Sequence, residues 1–588
     1  MQKVIDFLKR HWAIWIILAA ALVISMPFIH PEPLTGHDAP FHMFRYQGIA
    51  NAWASGQLVP QLDPAAFGGF GYAPSLFYGP LTGWVVLFFT WLVGGHAYIA
   101  VNLLMILSIF GAALACYKLV REITGKATPA VLAAVAYAAA PYHLLDYFVR
   151  RADGEMLPFI FAPLVFLGLW RLLQKSPKNA ILPLVIGGAG MVLSHNLSAL
   201  LWASLALIFV AINWRGFFAK QSWKFTLPKF VYSAALILLL SAVFILPMLE
   251  ASNAALYNIM NPVFAETNMG QNAEAVWRRG IHPGELFFDT PINYDLFYGL
   301  GLIAFLGVAA FAFARQNMPA KVRTFTRQMM IFGLVAAFMT TAWFFPWQWV
   351  PRFLTSIQFP WRLLTISSFG LAITAGISLY WLAHEKLAER RTERPSLMAA
   401  GAILILAAVA PLMSLGMYHP RWDYWYDYRL SSLVVNENRI WWYGAEYEYL
   451  PARVMGCEHR HQCPLKEEMP EWLLDRHAAG IVRHDGYLEY PLFFYPAYEA
   501  RTESGEELEV FESPNGLVAV KFANDQELTT SQRELPFVYG ITVDTVDGIE
   551  VVYGTSRATA VGFALSAFGL ASLITYSILH YRTSKRKA

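Results

Sequence analysis

Long apolar runs separated by short basic clusters set the plan of this chain. About thirteen segments approach or reach the ~18–20 apolar residues that span hydrocarbon. They lie near 13–30, 75–93, 96–118, 128–149, 154–173, 180–195, 197–213, 228–250, 295–315, 328–349, 363–383, 397–416 and 558–581. The first, AIWIILAAALVISMPFI, follows MQKVIDFLKR with no small-residue cleavage site and reads as a retained signal-anchor. Cytoplasmic loops carry the excess of Lys and Arg. The stretches 118–126, 171–178, 214–229, 314–327, 384–395 and the tail YRTSKRKA are basic. All of them fall on the inner side, with both termini, if 75–93 dips into the outer leaflet and the other twelve segments cross. Residues 417–557 break the pattern, mixing charges, Gly and Pro with short alternating runs such as LEVFES, GLVAVKF and GIEVVYG, which predict strands. The expected organisation is a membrane module over 1–416 with a first outer loop at 31–74, an extracytoplasmic β-rich domain over 417–557, and a last crossing with a basic cytoplasmic tail over 558–588.

Composition agrees with a polytopic α-helical membrane protein of about 12–13 transmembrane segments. Of 588 residues, 56% are hydrophobic and only 14% charged, and the mean hydropathy is +0.41, outside the soluble range. The net charge of +3 is dispersed between apolar runs, which points to topology and not to nucleic-acid binding. The helical plan excludes an outer-membrane barrel. With no Walker sequence and no strand-borne GxGxxG, a cytosolic nucleotide is not expected as donor. Cys116 lies in an apolar segment and reads as a packing residue. Cys457 and Cys463, in CEHRHQC, favour a disulfide in an oxidising compartment, while His459 and His461 between them leave a zinc site open.

On this topology the ionisable residues near membrane depth gather on the outer face, where such groups mark cavities and function. GHDAPFHMFR places Asp38 between His37 and His42, with Arg45 beyond. VRRADGE carries Arg150, Arg151, Asp153 and Glu155; SHN carries His195 and Asn196; PRFLTSIQFPWR ends on Arg362; YGAEYEYLP contains Glu446. Each has an ordinary reading too. Asp38 can cap the helix that starts at Ala39, Arg150 and Arg151 can anchor at the interface, and His195 and Asn196 can satisfy broken backbone. Trp347, Trp349 and Trp361 read as an aromatic belt, and Tyr447 and Tyr449 as packing. Chemically, an outward carboxylate suits a general base on an acceptor hydroxyl. Arginines suit a phosphate, and Asp153 with Glu155 suit a divalent metal such as Mg or Mn.

Taken together, GHDAPFHMFR, APYHLLDYFVRRADGE, LSHNLSAL, SIQFPWRLL and EYEYLP resemble the membrane family labelled 6-pyruvoyl-tetrahydropterin synthase-related. More broadly they resemble the C-type (GT-C) integral-membrane glycosyltransferases. No soluble pterin-synthase domain accompanies them. The resemblance implies transfer of a sugar from a polyprenyl-phosphate or -pyrophosphate donor to a glycan, lipid or protein acceptor on the outer face of the cytoplasmic membrane. Asp38 would be the catalytic base, with His42 beside it. Asp153 and Glu155 would be the second acidic motif, here D-x-E where some relatives have D-x-D, and with Asp38 would supply any metal ligands. Arg151, Arg362 and Arg45 would hold the donor phosphate; His37, His195, Asn196 and Glu446 are further candidates. A transporter of lipid-linked saccharides and a non-catalytic envelope assembly protein are the competing expectations.

Overall fold

The computed structural model of the chain describes residues 11–29, 36–176, 178–219, 221–267, 269–288, 298–388, 447–454, 469–522, 529–534 and 542–587. Among them five helices are long and apolar enough to cross a membrane: Ala97–Thr124, Asp153–Leu173, Ser222–Ala254, Pro360–His384 and Arg557–Thr583. The pair Ala127–Ala138 and Pro141–Arg150 adds a sixth span, bent by 40°. Pro141 accounts for the break, since its ring disfavours a helical conformation at the preceding Ala140, which is extended. Five shorter apolar helices, Trp12–Ile24, Leu81–Leu92, Ile181–Ser194, Asn196–Ile212 and Leu302–Ala314, occupy further predicted segments. The expected twelve full-length crossings are therefore not all present as single long helices. Leu81–Leu92 has 12 residues, about 18 Å at 1.5 Å per residue, short of the ~30 Å hydrocarbon core. It stops at Gly94 and Gly95, both left-handed. The apolar stretch 328–349 also divides: the helix Ala320–Met339 ends before a short 3-10 turn at Phe345–Trp349 that carries Pro346. The predicted segment 397–416 lies outside the described residues.

Helices approach closely where side chains are small. Arg557–Lys587 lies along Ser222–Ala254, with Gly562 and Gly569 facing it and Ser566 Oγ between them. That hydroxyl accepts from Val243 N at 3.0 Å and lies 2.9 Å from the Leu239 carbonyl. A Cβ on Gly562 would come within 2.5 Å of the Ala242 carbonyl oxygen. In hydrocarbon no hydrophobic force draws helices together, so this seam of small residues and its hydroxyl hold the pair by contact.

Strands β1 (Val482–His484), β2 (Tyr487–Phe493), β3 (Tyr498–Thr502), β4 (Glu507–Leu508), β5 (Val510–Glu512), β6 (Leu517–Lys521), β7 (Thr530–Glu534), β8 (Thr542–Val546) and β9 (Ile549–Tyr553) form two antiparallel sheets. Their orders are β1-β2-β6-β5 and β4-β3-β9-β8-β7. The three alternating runs named from the sequence fall on β4–β5, β6 and β9. The sheets dock on the first loop: Phe493 N donates to Phe70 O at 2.8 Å, and Tyr257 Oη to Phe494 O at 3.2 Å. Phe67, Phe70, Tyr72, Phe77, Tyr257, Tyr449, Phe493 and Tyr495 make one buried aromatic core there. The chain is thus a polytopic helical membrane protein with a β-rich region near its C-terminus.

Candidate functional site

Asp38 precedes the helix Ala39–Ala54 but makes no capping hydrogen bond with its side chain, so the capping role does not hold. Its backbone instead zips to the turn that follows the bent span. His37 N donates to Val149 O at 3.1 Å and Asp38 N to Arg150 O at 2.8 Å. Gly36 permits the approach: a Cβ there would meet Arg151 Cγ at 2.4 Å and Val149 O at 2.8 Å. The turn itself is irregular. Asp146–Arg150 is one π-helical turn, ended by Arg151 in the left-handed region at φ 53°, a conformation that non-glycine residues hold only when their surroundings fix it.

That turn aims Arg150 across the site. Its guanidinium donates to Asp146 at 2.5 Å, the Tyr142 hydroxyl at 3.0 Å and Glu155 at 3.1 Å, and lies 3.7 Å from Asp38 Oδ2. Arg150 is a central cation, not an interfacial anchor. Glu155 also accepts from Arg362 Nε and from Tyr142 Oη, both at 3.0 Å. Arg362 Nη1 is committed to Ile357 O and Gln358 Oε1. Asp153 accepts from Arg151 at 3.3 Å and from Tyr46 Oη at 3.0 Å. Four carboxylates (Asp38, Asp146, Asp153, Glu155) thus meet three guanidiniums (Arg150, Arg151, Arg362), and three of the carboxylates are buried. Asp38 is the exception, with 44% of its side chain exposed. Desolvation by the surrounding protein raises its carboxyl above the ordinary value against the pull of Arg150 and Arg362, and contact with water softens both effects.

The helix after Asp38 packs beside the same cluster. Arg45 is 3% exposed; it donates to Gly79 O at 3.2 Å and lies 4.1 Å over the Tyr78 ring. Its Nε and Nη2 have no partner among the described residues. Tyr78 packs on Gly154, where a Cβ would lie 2.1 Å from its hydroxyl. His42 is buried against Tyr46 and Tyr78. Burial, and then Arg45, push its imidazole well below the ordinary value, so it is a neutral ring. His195 caps the helix Asn196–Ile212, accepting from Ser198 N, and its ring lies 5.5 Å from Tyr78. Asn196 donates to Phe77 O at 2.8 Å, which makes it a backbone tie. His37 is exposed at the rim.

Other sequence expectations resolve as follows. Among the described residues no three His, Cys, Asp or Glu side chains are grouped to hold a metal ion. Asp153 and Glu155 are engaged by arginines and tyrosines, so Asp38, Asp153 and Glu155 do not fit a shared cation. Of the three tryptophans, Trp349 is 71% exposed, while Trp347 and Trp361 are buried; Trp361 stacks on Phe359 at 4.4 Å, which removes both from a belt. Tyr449 stacks on Phe41 and Phe77, and Cys116 is buried and unpaired. Glu446, Cys457, Cys463, His459 and His461 lie outside the described residues. Reading the sequence missed Tyr46, Tyr78, Tyr142, Asp146 and the central role of Arg150. The Tyr142–Asp146–Arg150 spacing, one helical turn per step, was the available signal.

No family model matches the chain. A protein of Lactococcus lactis subsp. cremoris (strain MG1363), named only as uncharacterized, is 26% identical over 355 residues, covering 59% of this chain and 56% of that protein. The chain therefore aligns with little more than half of that relative. Among solved structures, the cryo-EM structure of arabinofuranosyltransferase AftD from Mycobacteria superposes with a TM-score of 0.43 at 20% identity, over 70% of this chain and 27% of that one. A mutant form of AftD gives 0.43 and 20% over 69% and 28%. The chain spans about a quarter of AftD's length.

Proposed function

We propose that this chain is an integral-membrane glycosyltransferase. It moves a sugar from a polyprenyl-phosphate-type donor to an acceptor hydroxyl on the extracytoplasmic face, with Asp38 as general base. The observation that carries the reading is Asp38 itself: a carboxylate freed from capping, 44% exposed, and held 3.7 Å from a guanidinium that three buried partners lock in place. Arg150 favours the ionised carboxylate that must accept the acceptor's proton. As the sugar–phosphate bond breaks, negative charge grows on the departing lipid phosphate. The donor that meets it is Arg362 Nη2, whose sister nitrogens are committed, while Arg45, with Nε and Nη2 sealed and unpaired, adds positive charge from within the fold. Arg151 and Glu155 hold the turn that carries Arg150, and His42 contributes a neutral wall. The acceptor is a glycan, lipid or protein. No step is assigned to a metal.

The test is direct. The purified chain in nanodiscs is given polyprenyl-phosphate lipids carrying radiolabelled sugar, extracted from its own membranes, together with delipidated envelope glycans. Label should leave the organic phase and enter the glycan fraction. If the label instead stays on lipid while intact lipid-linked saccharide changes leaflet, the protein is a transporter.

A further inference from the structure

The chain that leaves the Asp38 helix builds a second cleft, of about 340 Å3, within the range of small-molecule sites. One wall is the first loop, with Gln57, Gly68, Gly69 and Phe70; the other is the sheet region, with Tyr490, Tyr498 and Tyr553. None of the residues clustered around Asp38 lines it. Gly68 and Gly69 both sit in the left-handed region, at φ 67° and 102°, so this wall is bare backbone that a ligand can approach closely. Tyr490, Tyr498 and Tyr553 contribute aromatic side chains to the opposite wall. Arg533, Asp544 and Glu550 stand around the cleft with His477. One guanidinium beside two carboxylates selects neither an anion nor a cation. Tyrosine faces suit a ligand with apolar C–H faces, and forked carboxylate and guanidinium groups suit pairs of adjacent hydroxyls.

We propose that this cleft binds an uncharged saccharide, held between the first loop and the β region. The assignment deepens the transfer reading, on which the ligand's identity as acceptor glycan rests; the binding itself does not depend on chemistry at Asp38. The test uses the full-length protein in nanodiscs on an array of immobilised neutral and acidic oligosaccharides. Neutral glycans should be retained. Arg533→Ala and Glu550→Ala, both at exposed positions, and Tyr553→Leu, which removes an aromatic face, should each weaken retention roughly tenfold. Asp38→Asn should bind as wild type while losing transfer. Absence of any neutral glycan on the array, or retention that survives all three cleft substitutions, overturns the proposal. Binding without transfer in the wild type would leave the cleft standing and sink the enzyme reading.

Discussion

Replacing Arg150 with leucine isolates the charge that orders the site. Arg150 is 5% exposed, and its neighbour Asp146 has a side chain with no exposure and an Oδ2 without a partner. Removing the guanidinium leaves that carboxylate buried and uncompensated, a cost of about 3–5 kcal/mol. Glu155 suffers less, since Arg362 and Tyr142 still hold it. The Arg150–Asp38 attraction at 3.7 Å is softened by water on Asp38 and contributes under about 1 kcal/mol. The single variant should therefore be mainly unstable. Adding Asp146→Leu removes the stranded charge and should restore most of the melting midpoint, read by fluorescence-detected size exclusion. Sugar transfer should stay low in the double variant, because nothing then orients Asp38. If Arg150→Leu melts like wild type, or the second substitution rescues no stability, the charge network is not as described.

Other outcomes follow from single contacts. Gly36→Ala must displace Arg151 or Val149 and part Asp38 from Arg150, so transfer should fall sharply with little loss of folded protein; unchanged transfer would deny the close approach. Asp63, buried in the first loop, has its carboxyl raised by burial from 3.8 to about 6 against bonds from Asn51 and Ala65. The folded state then holds a proton that the unfolded state releases, so Asp63 makes stability fall as pH rises from 3.8 to about 6. Asp63→Asn should flatten that part of the melting-versus-pH curve, and an unaltered slope would contradict the assignment. Gly562→Leu would drive a side chain into the Ala242 carbonyl and should lower the melting midpoint, whereas Val561→Leu, at a partly exposed position beside it, should not.

Much of the architecture was legible because it rests on periodicity and length. Most of the apolar runs within the described residues became helices, and GIEVVYG became β9. Helix breaks were harder to see. The break at His195, which caps the second of two helices, fell between the segments read as 180–195 and 197–213, whereas the bend at Pro141 lay inside the run read as 128–149. Within the site, Asp38 was identified by its place between His37 and His42 in the first outer loop. Its release from capping was not readable, since an aspartate ahead of a helix looks the same in either role. Arg150 and Arg151 are adjacent and alike in sequence; only the π-turn and the left-handed Arg151 send one to Asp38 and the other to Asp153. Tyr46 and Tyr142 were lost among 28 tyrosines, for partners drawn from 107 and 13 residues away.

The central claim is that Asp38 does chemistry. Wild type and Asp38→Asn, expressed at equal folded abundance in a strain lacking the gene, can be compared by mass spectrometry of envelope glycans. The substitution keeps size and leaves Arg150 its other partners, so the protein should fold and the glycan should still lack its sugar. Full restoration of the glycan by Asp38→Asn would contradict the account.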